Sequence, residues 1–113
     1  MDGQILVADD NRGFVDLLRA TLEEEGFEVV TASTGLAAVA AVQNNNVGLA
    51  VLDVLMPGIS GDAVAERLHQ IDPELPVLLM TGADAGFAAA SGEPVLRKPF
   101  SREELVAAVR RLV

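Results

Sequence analysis

Five short apolar runs, separated by stretches with helical spacing, constrain the fold of this chain more than any other feature. The runs are rich in Val and Leu, and several are apolar without alternation, as in strands that are covered on both faces. They lie at residues 4–8, 27–32, 47–54, 76–82 and 94–98. Because strands of this kind occur in sheets with helices packed on both sides, the pattern predicts an α/β protein with a parallel sheet.

The stretches between the runs have the spacing of amphipathic helices. In residues 11–26, Phe14, Leu18 and Leu22 recur every four residues, and Gly26 follows where a C-terminal cap belongs. This pattern predicts a helix that packs one face against the sheet. Similar patterns predict further helices over residues 35–43, 61–71 and 101–113.

Two local features refine the end of the chain. The last helix opens with a capping box, in which Ser101 precedes Glu104 by three residues. The interval from Thr81 to Lys98 is short and leaves about a dozen residues for a loop, a helix and a second loop. We therefore predict a short or irregular fourth helix within residues 83–93.

The alternation of five strands with helices predicts a single flavodoxin-like, doubly wound sheet with the strand order 2-1-3-4-5 and right-handed crossovers. At 113 residues the chain fits one domain, which we expect to span residues 1–113. In this fold the ligand site lies outside the carboxyl ends of the strands, at the switch between strands 1 and 3.

Composition excludes several classes of function. Eight basic against seventeen acidic residues give a net charge of −9, which argues against direct binding of nucleic acid or of an anionic membrane. The absence of cysteine excludes disulfides, zinc–thiolate sites and thiol catalysis. Residues 1–4 lack a basic targeting region, and no apolar stretch approaches the roughly 20 residues of a membrane helix, so we expect a cytoplasmic protein.

Polar residues stand at the ends of four predicted strands. Asp9 and Asp10 follow strand 1, Asp53 ends strand 3, Thr81 ends strand 4, and Lys98 follows strand 5. Two carboxylates about 5 Å apart repel by roughly 3 kcal/mol at an effective dielectric near 20, so the acidic pair calls for positive charge nearby. Each residue alone has an ordinary explanation as a helix cap, a turn residue or a solvated charge. Together they predict a site.

The residue types of this site indicate its chemistry. Hard carboxylate oxygens without His or Cys nearby favour Mg²⁺. An Asp beside such a metal can attack phosphorus to give an aspartyl phosphate. The charge on a transferring phosphoryl group needs a cation and a hydroxyl donor in addition to the metal, and Lys98 and Thr81 provide these groups.

The motifs "ADDN", "LDVLMPGISG", "MTG" and "LRKPF", in this order and spacing, closely resemble those of the receiver domain of two-component response regulators. The resemblance covers the whole chain. It implies that Asp53 is the phosphoacceptor and that Asp10, Asp53 and the backbone carbonyl of Leu55 hold Mg²⁺. It implies that Asp9 acts mainly through a metal-bound water.

The same resemblance assigns the remaining site residues and the partners. It implies that Thr81 bonds a phosphoryl oxygen, that Lys98 pairs with the phosphoryl group, and that the Lys98–Pro99 bond is cis. The implied partners are a histidine kinase or phosphotransfer protein, which donates the phosphoryl group, and a downstream effector protein or domain. The implied activity is phosphoacceptance with self-dephosphorylation, not that of a turnover enzyme.

Local details of the motifs support further predictions. In "MPGISG" we expect Gly58 and Gly61 to adopt backbone angles that other residues avoid. Val95 stands where many receivers carry Tyr or Phe, so the usual aromatic output switch is missing. His69 is predicted to be a solvated surface residue.

Three other functions share parts of this pattern. A Mg²⁺-dependent aspartyl-phosphate phosphatase of the haloacid dehalogenase type needs a second acid two residues after the nucleophile, where this chain has Leu55. A flavodoxin-like FMN carrier would share the fold, but the chain has no Trp or Tyr to stack on a flavin. A degenerate pseudo-receiver would act only as a protein-interaction module, although all five phosphorylation positions are present.

Overall fold

The computed structural model describes residues 3–82 and 92–113, which contain five strands and four helices. The strands are β1 (Gln4–Ala8), β2 (Val29–Ala32), β3 (Val47–Asp53), β4 (Val77–Thr81) and β5 (Val95–Arg97). The helices are α1 (Arg12–Glu24), α2 (Gly35–Asn44), α3 (Gly61–Ile71) and α4 (Arg102–Leu112). The short helix predicted within residues 83–93 falls almost wholly on residues 83–91, which lie outside the described residues.

The sheet has the strand order β2-β1-β3-β4-β5, and all its neighbouring strands are parallel. This confirms the predicted flavodoxin-like topology. Strand β1 pairs with β2 on one side and with β3 on the other, so the direction of winding changes between β1 and β3. The switch point therefore lies where the sequence predicts the ligand site.

The core forms two layers, one on each face of the sheet. Successive residues of a strand point to opposite faces, so Leu6 and Ala8 join the layer beneath α2 and α3, whereas Ile5 and Val7 join the layer beneath α1 and α4. All four side chains are fully buried. Burial on both faces explains why the strand sequences are apolar without alternation.

Residues at the helix ends fix the boundaries of α1 and α4. The side chain of Asn11 caps α1 by accepting the backbone N–H of Phe14, and Ser101 and Glu104 form the predicted capping box of α4. At the other end of α1, Gly26 has a φ of +92° and donates its N–H to the carbonyl of Glu23. This confirms the predicted glycine cap.

Strand β2 is shorter than the apolar run at 27–32 indicated. The backbone N–H of Phe27 donates to the carbonyl of Leu22 at 3.1 Å and so completes the end of α1. Residue 27 therefore still belongs to the helix terminus, and the strand begins at Val29.

His69 is less exposed than predicted. Its ring lies on α3 with Nε2 2.9 Å from the carbonyl oxygen of Leu75 and Nδ1 3.4 Å from the carboxylate of Glu93. The side chain is about one-third exposed, so His69 joins α3 to the segments that precede β4 and β5.

Across residues 3–82 and 92–113, none of the helices combines the length and the apolar character needed to cross a bilayer.

Candidate functional site

The register of the sheet brings the predicted site residues together. Ala8 pairs with Leu52, so Asp9 and Asp53 come next on two adjacent strands. Asp53 in turn pairs with Met80, the residue before Thr81. These residues meet because the carboxyl ends of parallel strands lie along one edge.

Lys98 reaches the same edge through β5. Thr81 pairs with Arg97, and the backbone N–H of Lys98 donates to the carbonyl oxygen of Thr81 at 2.8 Å. The Lys98–Pro99 peptide bond is cis, as the resemblance implied.

The three carboxylates form a compact cluster. Asp9 and Asp53 are buried and Asp10 is exposed, and one oxygen from each lies within 4.8 Å of the other two. Neither residue of the acidic pair caps α1, because Asn11 does so. Asp9 instead accepts the backbone N–H of Asn11 at 3.0 Å through Oδ1. The explanation of the acidic pair as a helix cap is therefore wrong.

Lys98 provides the positive charge that the acidic pair requires. Its Nζ donates to Asp9 Oδ2 at 2.9 Å and lies 3.4 Å from Asp53 Oδ1. About three-quarters of the side chain is buried. Lys98 contacts two of the three carboxylates, and one ammonium among three carboxylates leaves the cluster with excess negative charge.

This environment changes the ionisation of Asp53. Burial raises the pKa of the Asp53 carboxyl above its ordinary value, and the nearby charge of Asp9 raises that pKa further. The charge of Lys98 and a hydrogen bond from the Leu55 backbone act in the opposite direction without cancelling the increase. Because the ionised form of Asp53 is destabilised, a cation that binds beside the carboxylate would stabilise that form.

The donor set fits a hard divalent cation. Mg²⁺ binds oxygen at about 2.0–2.1 Å, so two ligands on opposite sides of one ion are about 4 Å apart. The oxygens of the cluster lie within 4.8 Å of one another, which is close to that spacing. The Asp9, Asp10 and Asp53 cluster is therefore able to hold a metal ion.

The loop after Asp53 shows why its two glycines are needed. Gly58 has a φ of +87°, as predicted. Gly61 is required for a different reason, because a Cβ atom at this position would collide with the backbone carbonyl oxygen of Asp53. Gly61 is not one of the glycines with a positive φ, so the prediction of unusual backbone angles is wrong at this position. A glycine is needed there because α3 approaches the end of β3 closely.

Two aromatic residues that sequence reasoning did not assign to the site also lie there. The ring of Phe14 has its centroid 4.6 Å from Lys98 Nζ, and it meets the ring of Phe100 edge-on at a centroid distance of 5.8 Å. The helical spacing of Phe14 predicts only a position on the core face of α1. The presence of Phe100 in the "LRKPF" motif was the one available signal.

Comparison with known proteins decides the family. The sequence profile of the response regulator receiver domain matches residues 5–110. The chain belongs to this family. As a receiver domain it is a phosphoacceptor signalling domain of two-component systems, and such domains are generally not enzymes.

Curated relatives support the assignment over the whole chain. The receiver domain is 38% identical to the probable transcriptional regulatory protein TcrX of Mycobacterium tuberculosis, an alignment that covers 99% of this chain and 51% of TcrX. It is 35% identical to the alkaline phosphatase synthesis transcriptional regulatory protein PhoP of Bacillus subtilis, over 100% of this chain and 49% of PhoP. The chain thus spans about half the length of these relatives.

Two solved structures resemble this chain in fold. The chemotaxis protein CheY4 of Vibrio cholerae superimposes with a TM-score of 0.92 at 26% identity and covers 97% of this chain and 98% of its own. The receiver domain of NtrX from Brucella abortus gives a TM-score of 0.89 at 31% identity, over 96% of this chain and 97% of its own. TM-scores of this size show that both structures share the fold of this chain.

Proposed function

We propose that Asp53 accepts a phosphoryl group from a phosphohistidine of a histidine kinase or phosphotransfer protein. The observation that carries this proposal is the position of the Asp53 carboxylate at the end of the central strand, close to the buried Asp9 and 3.4 Å from the ammonium of Lys98. The other two carboxylates of the cluster have different surroundings. Asp9 is engaged by Lys98 and Asn11, and Asp10 is exposed.

The transfer exchanges one bond for another. A carboxylate oxygen of Asp53 attacks the phosphorus, and the new O–P bond forms as the N–P bond of the phosphohistidine breaks. The departing imidazole keeps the bonding electron pair on its nitrogen. The nucleophile is the ionised carboxylate. The raised pKa of Asp53 disfavours this ionised form, and cations beside the carboxylate offset that cost.

Mg²⁺ is the metal that we assign to the acidic cluster, held by Asp10, Asp53 and the backbone carbonyl of Leu55, with Asp9 acting mainly through a bound water. When bound, it neutralises part of the charge on the cluster and on the phosphoryl oxygens. This assignment is supported by three hard oxygen donors with excess negative charge and oxygens close enough for one ion.

Lys98 and Thr81 complete the environment of the phosphoryl group. Lys98 Nζ already lies 3.4 Å from Asp53 Oδ1, so a small movement brings it to an oxygen of a phosphoryl group on Asp53. Thr81 is buried beside the strand partner of Asp53, and its hydroxyl is a donor for a second phosphoryl oxygen. Movement of these two side chains on phosphorylation would start the conformational change.

The signal then passes to a downstream effector protein or domain. The curated relatives are transcriptional regulatory proteins of about twice this length, which is consistent with an output carried elsewhere. We expect the receiver domain to act in the cytoplasm and to lose its phosphoryl group by hydrolysis at the same site, without turning over a substrate as an enzyme does.

Intact-mass spectrometry after incubation with acetyl phosphate and Mg²⁺ tests the proposal. The wild type should gain one phosphoryl group, and Asp53→Asn should gain none. Asp62→Asn is the matched control, because Asp62 lies nearby in the first turn of α3 and removing its charge should leave labelling intact. Equal labelling of the wild type and Asp53→Asn would refute the assignment.

A further inference from the structure

We propose that Phe14 is a positioning residue for phosphoryl transfer and that the face of its ring holds the ammonium group of Lys98 at the site. The inference rests on the proposed function, since it concerns how Lys98 reaches the phosphoryl group. It adds to the site a residue from α1, a helix that supplies none of the proposed phosphoryl or metal ligands.

The surroundings of Lys98 Nζ carry the inference. An ammonium group has three N–H donors. Two carboxylates face it, with Asp9 Oδ2 at 2.9 Å and Asp53 Oδ1 at 3.4 Å. The ring of Phe14 lies on a third side, with its centroid 4.6 Å away, inside the range of a cation–π interaction.

The position of the ring is itself fixed. The backbone N–H of Phe14 donates to the capping side chain of Asn11 at 3.1 Å, which holds the residue in the first turn of α1. Its ring meets that of Phe100 at an interplanar angle of 61°, an edge-to-face geometry that aromatic pairs favour. The ring is therefore held from both α1 and the segment that follows Lys98.

The ring matters because Lys98 must change partners during the reaction. Before transfer it faces the Asp53 carboxylate, and afterwards it faces the phosphoryl oxygens bonded to Asp53. A hydrogen bond to one oxygen weakens steeply with misalignment, whereas attraction to a ring face tolerates a range of positions within about 6 Å. The ring keeps the ammonium near the site while its anionic partner changes.

Asp9 competes for the same ammonium group. The Lys98–Asp9 contact is the shorter of the two ion pairs, and Asp9 is buried. Without the ring, the flexible side chain of Lys98 would lose an attraction that holds it beside Asp53 as well as Asp9. Less of the population would then be ready to stabilise the transferring group.

Phe27 provides a matched control for the loss of a ring. Like Phe14, it is partly buried against the core layer beneath α1 and α4. It also lies under a cation, the guanidinium of Arg110, at 5.4 Å from the ring centroid. Because Arg110 lies on α4 and makes an ion pair with Glu25, Phe27→Leu removes a comparable contact away from Lys98.

The test compares initial rates of labelling by acetyl phosphate at saturating Mg²⁺. Phe14→Leu should lower the rate by about three- to thirtyfold, since it removes the π face and keeps an apolar side chain. Phe14→Tyr should restore the rate, and Phe27→Leu should leave it unchanged. In a Lys98→Met background, Phe14→Leu should have no further effect, because the ring acts through the ammonium.

A spectroscopic measurement separates this role from simple packing. Protons on Lys98 Nζ that lie over a ring face should appear upfield in the wild type, remain upfield in Phe27→Leu and lose that shift in Phe14→Leu. Phe14→Met offers a second ring-free variant if Phe14→Leu folds poorly.

Wild-type labelling rates in both ring-free variants would overturn the proposal, as would an equal loss of rate in the Lys98→Met background. A wild type that takes no label, or an Asp53→Asn variant that is labelled, contradicts the proposed function instead. In that case the upfield shift still decides whether Phe14 holds Lys98.

Discussion

Two ionic clusters join distant parts of this receiver domain, and their environments give them opposite properties. At the site, Lys98 contacts the buried Asp9 and Asp53. Between α1 and α4, Arg102 and Arg110 contact exposed or half-exposed glutamates. We call this second group the α1–α4 network, and it consists of Glu24, Glu25, Arg102 and Arg110.

The carboxyl groups of the two clusters differ in the direction of their pKa shifts. Burial is the largest influence on Asp53 and raises its pKa, whereas the hydrogen bond from Arg110 is the largest influence on Glu25 and lowers its pKa. The α1–α4 network balances two carboxylates with two guanidinium groups. The site has three carboxylates and one ammonium. A bound cation should therefore stabilise the site, whereas it should not stabilise the α1–α4 network.

The largest expected effect concerns the glycines that stand beside the two clusters. Gly61→Ala should lower the free energy of unfolding by about 3 kcal/mol, because the new Cβ meets the backbone carbonyl of Asp53, which cannot move away cheaply. Gly26→Ala should cost only about 1 kcal/mol, since its φ of +92° is strained for Ala but nothing lies within 4 Å of the new Cβ. Urea unfolding of both variants checks the order, and equal losses would show that the close approach at Gly61 does not constrain the site.

The next effect is stabilisation by Mg²⁺, which should act on the site cluster alone. At 100 times its Kd the ion should add about 2.7 kcal/mol to the free energy of unfolding, because it relieves repulsion among Asp9, Asp10 and Asp53. Thermal melts in EDTA and in millimolar Mg²⁺ measure it. Glu25→Gln should keep this stabilisation and Asp10→Asn should lose most of it. A melting temperature that is the same in EDTA and Mg²⁺ would contradict the assignment of Mg²⁺ to this cluster.

Much of this arrangement was predictable from the sequence because strand ends are marked by abrupt changes in polarity. The apolar runs at 4–8 and 47–54 give strands β1 and β3 with nearly the predicted bounds. Once the topology is known, the parallel register brings both residues to one edge. The topology itself follows from the alternation of strands and helices.

Packing contacts between distant segments were not predictable in the same way. The ring of Phe14 meets Lys98 only because α1 lies near the segment after β5, and nothing in the helical spacing of Phe14 distinguishes this role from a core role. The reason for Gly61 is likewise tertiary, since it depends on how closely α3 approaches Asp53. The α1–α4 network also joins residues more than 70 positions apart.

A smaller effect is expected from removing the charge of Asp53 itself. A carboxyl whose pKa is higher in the folded than in the unfolded state favours folding most below the unfolded value, and this contribution is lost as the pH rises through the folded value. In EDTA at neutral pH, Asp53→Asn should therefore raise the melting temperature by a few degrees. The difference in melting temperature between Asp53→Asn and the wild type should shrink as the pH falls through the raised pKa of Asp53 toward the ordinary Asp range. A variant less stable than the wild type at neutral pH would contradict the raised pKa.

The smallest expected effect is the loss of Glu25 from the α1–α4 network. Its pKa is lowered, so its contribution to stability is present above the ordinary Glu value and is lost as the pH falls through the lowered one. Glu25→Gln removes contacts to Arg102 and Arg110, but both guanidinium groups are about half exposed, so solvent and salt screen these contacts. We expect the melting temperature to fall by at most a few degrees at low salt and to match the wild type at high salt.

The rate of labelling at Asp53 should not change in Glu25→Gln, since the network contacts no member of the site cluster among residues 3–82 and 92–113. A slower rate in Glu25→Gln with an unaltered fold would mean that the two clusters are coupled through α1, and the separation drawn here between a reactive and a structural cluster would fail.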